Sequence, residues 1–138
     1  MKRVLTDTDV ILDFFFDRKP FSNHAARILT LIESEKLAGF ITPVICSNIY
    51  YILRRSASHN RVIEKLSQLL RIVNVLEMDR DIVLQALNSE FRDFEDALQY
   101  FAALRSNQID VILTRNVKDY RKSTIAVMTT ASFLLQRI

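Results

Sequence analysis

The chain has 138 residues, 49% of them hydrophobic, which is the length of one domain and enough apolar content to exclude disorder. Its formal net charge of +3 is compatible with a polyanionic partner without demanding one. A single cysteine excludes a disulfide framework and a cysteine-based zinc site, and a single glycine excludes glycine-rich phosphate loops.

The first residues carry no apolar signal region, and no apolar run approaches the roughly 18 residues a membrane span needs, so the expectation is a soluble, cytoplasmic protein. Val4-Leu5-Thr6 reads as a short first strand, with Asp7-Thr8-Asp9 where strand passes to helix. Ile11, Leu12 and Phe14–Phe16 begin a buried helix that stops near Arg18–Pro20. Ser22 is the expected N-cap of the next helix, whose stripe is Phe21, Ala25, Ile28, Leu29 and Ile32.

Gly39-Phe40-Ile41 is the second strand, and Thr42-Pro43 opens a helix with Thr42 as cap and proline in the first turn. A helix over Val62–Leu70, a third strand over Ile72–Leu76 and a helix capped by Asp79 follow. Asp93 and Asp96 begin the next helix, with apolar positions at Phe94, Ala97, Leu98, Phe101 and Leu104. Val111-Ile112-Leu113 is short, continuous and apolar, as a strand covered on both faces should be. A polar turn with Thr114, Asn116 and Asp119, a fifth strand at Ile125–Val127 and a helix over Thr129–Arg137 complete the chain. Strands separated by helices predict an α/β fold: one domain over 1–138 around a parallel sheet of about five strands, covered on both faces.

In such a fold the helix before a strand starts at the edge where that strand ends. Asp7, the pair Asp93 and Asp96, and Asp119 therefore belong to one edge, the edge where open α/β sheets bind ligands. An aspartate at a helix start is by default only a cap. Several on one edge repel one another, and the usual remedy is a divalent cation. Oxygen ligands without His or Cys suit Mg²⁺ or Mn²⁺. Such an ion lowers the pKa of a bound water and neutralises phosphodiester charge, which points to hydrolysis of a nucleic-acid backbone.

Three segments, Leu5–Asp13, Asp93–Gln99 and Ile112–Tyr120, resemble motifs of PIN domains, in order and at the family's spacing, and the likeness extends over essentially the whole chain. Among PIN domains the chain most resembles VapC-type toxin ribonucleases and VapC-like stand-alone bacterial proteins. The resemblance implies a three-layer α/β/α sandwich, metal-dependent ribonuclease activity with RNA as substrate, a homodimer, and an antitoxin protein as a partner to look for. It implies that Asp7, Asp96 and Asp119 are metal ligands, with Asp93 beside Asp96 in the catalytic set. Thr114 and Asn116 would shape the turn by hydrogen bonds to a carboxylate or to metal-bound water. One position departs from the family. Asn48 stands where a glutamate is usual, offering a carbonyl oxygen but no charge, which weakens cation affinity.

Arg115, Lys118, Arg121 and Lys122 flank Asp119 and are expected to meet RNA phosphates. Arg54, Arg55, Arg61 and Lys65 are read as a solvated helix face. Asp7-Thr8-Asp9 also resembles the nucleophile motif of haloacid dehalogenase phosphatases, but the glycine-containing acidic motif of that family is absent. A receiver domain fails because Leu76-Glu77 and Val127-Met128 stand where its aspartate and lysine belong. The rival that survives is a catalytically weakened PIN fold binding RNA or protein, and Asn48 is its argument.

Overall fold

The computed structural model describes residues 1–136. Five strands form one parallel sheet: β1 (Lys2–Thr6), β2 (Leu37–Ile41), β3 (Val73–Val75), β4 (Val111–Leu113) and β5 (Ala126–Met128), in the order β3-β2-β1-β4-β5. Among the described residues, seven α-helices connect and flank them: α1 (Thr8–Phe15), α2 (Ser22–Glu33), α3 (Pro43–Leu53), α4 (His59–Leu69), α5 (Arg80–Leu87), α6 (Phe94–Ser106) and α7 (Thr130–Gln136). This is the three-layer α/β/α arrangement. The connections β1→β2→β3 step one way across the sheet and β3→β4 steps back past β1. With right-handed crossovers, α1–α4 cover one face and α5–α6 the other. Contacts of α1 with α2 and α3, of α3 with α4, and of α5 with α6 agree with that division, and α7 packs on α2.

The strands form where sequence lets both faces be covered. Val111, Ile112 and Leu113 are all buried, as are Val4, Leu5 and Thr6 in β1. Gly39 in β2 serves packing: a Cβ would lie 2.6 Å from Ile32 Cδ1 of α2, so any larger residue would force the buried Ile32 side chain to shift. At the opposite edge from the acids, Arg3 and Asp110 stitch β1 to the start of β4, with Arg3 N donating to Asp110 Oδ2 at 2.8 Å.

The predicted caps of α3 and α5 are observed. Thr42 Oγ1 accepts from Ile45 N at 3.1 Å and Asp79 Oδ1 from Ile82 N at 3.2 Å. Ser22 is a correction. It is the first residue of α2, and its buried hydroxyl makes no capping bond because Phe21 before it is already in helical conformation. The α6 stripe is also shifted: Ala97, Leu98, Ala102 and Ala103 are buried while Phe94 and Leu104 remain exposed. The last strand and helix fall one residue later than expected, and Arg137 lies outside the described residues. Among the described residues no helix is long and apolar enough to cross a membrane.

Candidate functional site

The order β2-β1-β4 reverses direction at β1, so the carboxyl ends of β1 and β4 form the switch-point crevice of this sheet. Asp7 follows β1 and Thr114 follows β4. Pairing continues past the strand ends, with Asp7 N donating to Leu113 O at 2.9 Å. Of the carboxylates on the cleft, Asp7 is the most buried, at 9% exposure. Its Oδ1 accepts from Thr8 N at 2.8 Å, and its Oδ2 accepts from the Thr114 hydroxyl at 3.0 Å and the Tyr120 hydroxyl at 3.4 Å.

The turn after β4 is tied to α1. Arg115 N donates to Asp9 Oδ2 at 3.0 Å, Asn116 Nδ2 lies 3.5 Å from the same oxygen, and Asn116 N donates to Thr114 Oγ1 at 3.1 Å. The short 3₁₀ turn Val117–Tyr120 then carries Asp119 to the rim and Tyr120 into the interior. From the opposite face of the sheet, α6 brings its N-terminus to the same place. Asp93 caps it, with Oδ1 accepting from Asp96 N at 3.0 Å.

These elements enclose a cleft of about 530 Å³ lined by the carboxylates of Asp7, Asp9, Asp93, Glu95, Asp96 and Asp119. Asn48 of α3 and Asn116 also line it, as do Arg18, Tyr51 and Arg55 on the side of α1 and α3. The acids act on one another. The Asp96 carboxyl is raised to about 7, first by burial and then by Asp7 and Asp93, with Asp119 adding to it and the Tyr120 hydroxyl opposing. Asp9 is raised to about 6 by burial and by Asp7, against the pull of Arg115. Burial also raises Asp7, although bonds from Thr8, Thr114 and Tyr120 work the other way. Burial next to Asp7 and Asp96 drives the Tyr120 phenol far up, so it stays a neutral donor.

A site with this much clustered negative charge and no His or Cys on its walls has the donor chemistry of a hard cation. The buried Asp9 Oδ1, which has no hydrogen-bond partner, fits the same reading. Among the described residues no three His, Cys, Asp or Glu side chains already stand as a coordination cage.

A PIN domain model matches residues 3–118. The chain belongs to the PIN domain family. It is similar to Ribonuclease VapC1 of Aquifex aeolicus (strain VF5), 26% identical over 140 residues covering 96% of this chain and 93% of that one. Among solved structures it is similar to VapBC-1 from nontypeable Haemophilus influenzae, with TM-score 0.68 and 19% identity over 94% of this chain and 98% of that one. It is also similar to a toxin–antitoxin complex from Klebsiella pneumoniae, with TM-score 0.68 and 22% identity over 92% and 97% of the two chains. PAE2754 from Pyrobaculum aerophilum gives TM-score 0.61 at 20% identity over 98% and 96%. At these identities the structural likenesses speak for the fold.

The cations nearest the cleft of this PIN domain differ in where they point. Lys118, Arg121 and Lys122 line a second hollow of about 240 Å³, with Arg92, that meets the acidic cleft at Asp119. Lys122 Nζ also lies 3.3 Å from Glu90 Oε2. Arg115, expected beside them, is turned away. Its Nε is 3.1 Å from Asp13 Oδ2 and its guanidinium lies 4.3 Å from the Phe21 ring centroid. Asp13 is only 2% exposed, and a buried carboxylate needs its counter-ions, here Arg115 and, at 3.6 Å, Arg18. Arg55, read from sequence as part of a solvated face, reaches the cleft wall. Tyr120 and Glu95 also went unread as site residues, although both stand inside the segments that carry the family likeness.

Proposed function

We propose that the cleft at the carboxyl ends of β1 and β4 is the active centre of a metal-dependent endoribonuclease that hydrolyses RNA phosphodiesters. The observation that carries the reading is the convergence of Asp7, Asp93, Asp96 and Asp119, from three distant stretches, on one cleft, where burial and neighbouring carboxylates raise the pKa of Asp7 and Asp96. The likeness to a relative named as a ribonuclease, over nearly the full length of both chains, supports it.

Asp7, Asp96 and Asp119 would hold Mg²⁺ or Mn²⁺. Bound there, the ion supplies a lowered pKa to a water and neutralises charge on the phosphodiester. Asp7 is fixed by three donors, so it sets the position of the site. Asp119 is exposed on the rim, and Asp93, also exposed, caps α6 through Oδ1 and stands beside Asp96. Thr114 orients Asp7, and Asn116 and Asp9 hold the turn that presents Asp119. Lys118, Arg121 and Lys122 take phosphates that flank the cut bond, since backbone phosphates dominate nucleic-acid affinity. Association with an antitoxin-type protein belongs to the same reading, as the similar Klebsiella chain was solved in a toxin–antitoxin complex.

The test is cleavage of unstructured RNA in Mn²⁺ by wild type, Asp7→Ala and Asp96→Ala. Wild type cleaves, and each variant falls by about 100-fold or more. Cleavage that survives both substitutions rejects the site. The missing family glutamate at Asn48 favours a second reading, a PIN fold that binds RNA without cutting it. Absence of cleavage by wild type, with RNA retained in a gel shift, would establish that one.

A further inference from the structure

The family's usual glutamate on the helix after the second strand is absent, yet a carboxylate reaches the same wall from the other side. Glu95, on the first turn of α6, lines the cleft, and its Oε2 accepts a hydrogen bond from Asn48 Nδ2 of α3 at 2.9 Å. We propose that Glu95 supplies the negative charge that α3 lacks, with Asn48 as the positioning residue that holds it over the cleft. The proposal rests on the metal-dependent reading above and adds Glu95 to its ion-binding set.

Successive residues on a helix point about 100° apart, so Glu95 and Asp96 do not share a face by helix geometry alone. Two features bring both to one cleft. The cleft is built around the end of α6, so the first turn as a whole borders it. The longer glutamate side chain is also drawn across to α3 by a donor, and an amide is the group that can do this. Asparagine offers N–H, whereas a glutamate at position 48 would be acceptor-only when ionised and would repel Glu95. Asn48 and Glu95 thus form a matched pair, an amide donor on α3 and a carboxylate on α6. Thr42 and Gln99, hydrogen-bonded to each other in the interior, tie the same two helices beneath this contact. The Asn48–Glu95 bond therefore lies on a fixed frame.

The experiment titrates Mn²⁺ into the intact protein without RNA and reads free Mn²⁺ by electron paramagnetic resonance. The variants are Glu95→Gln, Asn48→Ala, the double variant Asn48→Glu/Glu95→Gln, and Glu77→Gln as a control away from the cleft. Circular dichroism confirms each fold. Glu95→Gln weakens Mn²⁺ binding by about tenfold, and Asn48→Ala weakens it by less. The double variant, which returns the charge to α3, recovers binding to within about threefold of wild type, an outcome a merely structural role would not give. Wild-type affinity in Glu95→Gln, or a double variant as weak as Glu95→Gln, overturns the proposal. Asp7→Asn and Asp96→Asn separate the two layers of the reading. If both bind Mn²⁺ as wild type does, the metal centre itself is wrong. If both lose the ion while Glu95→Gln keeps it, only the role of Glu95 falls.

Discussion

Tyr120 is the neutral side chain whose hydroxyl acts on both Asp7 and Asp96. It is 1% exposed, its hydroxyl donates to Asp7 Oδ2 at 3.4 Å, and it lowers the pKa of Asp96 as well as that of Asp7. One hydroxyl proton thus faces two carboxylates and can satisfy one at a time. Phe91 packs edge-on against its ring and holds the hydroxyl in place. Tyr120→Phe keeps the ring volume and removes the donor. The variant is expected to lose about 1 kcal/mol in urea denaturation. Its Asp96 carboxyl should titrate at higher pH than in wild type, as followed by NMR of the side-chain carbon. An unmoved Asp96 midpoint would show that the hydroxyl serves Asp7 alone.

At the scale of elements, the site depends on how α3 and α6 are held together, because α3 carries Asn48 and α6 carries Asp93 to Asp96. Thr42 does this with one oxygen. The hydroxyl accepts from Ile45 N as the cap of α3 and donates to Gln99 Oε1 of α6, with both side chains fully buried. Thr42→Ala removes the cap and leaves the Gln99 amide oxygen unsatisfied in the core. The expected loss is about 2–3 kcal/mol in urea denaturation, the sum of a cap and a buried acceptor. Thr42→Ser keeps the oxygen and should lose less than half of that. A similar loss in both variants would assign the effect to the threonine methyl.

For the whole molecule, the clustered acids make stability depend on pH. The folded value of Asp96, about 7, lies above the ordinary 3.8, and Asp9 at about 6 and Asp7 are raised in the same direction. Between these limits the folded protein holds more protons than the unfolded chain, so metal-free stability falls as pH rises from about 4 to about 7. Asp96 is partly exposed, and solvent screening reduces its share to about 1–2 kcal/mol. The metal-free protein should melt at a higher temperature at pH 5 than at pH 8. Asp96→Asn should flatten that slope and raise the melting temperature at pH 8. Mn²⁺ should stabilise wild type more at pH 8 than at pH 5, because the ion binds deprotonated carboxylates. A metal-free melting temperature that rises from pH 5 to pH 8 contradicts the mutual repulsion.

The sequence by itself determined what is local. Val111–Leu113 was legible as a buried strand from three consecutive apolar residues, and Thr42-Pro43 and Asp79 as helix starts from capping chemistry. That Asp7, Asp93, Asp96 and Asp119 belong on one edge followed from chain direction in an α/β fold. Only the tertiary structure decided which side chains touch. The order β3-β2-β1-β4-β5 sets β1 beside β4 and so joins Thr114 to Asp7, 107 residues apart. It also turned Arg115 toward the buried Asp13, brought Tyr120 under the acids and laid Glu95 against Asn48. Periodicity and caps report one element at a time, whereas these contacts depend on which strands neighbour each other and on which charges burial leaves in need of a partner.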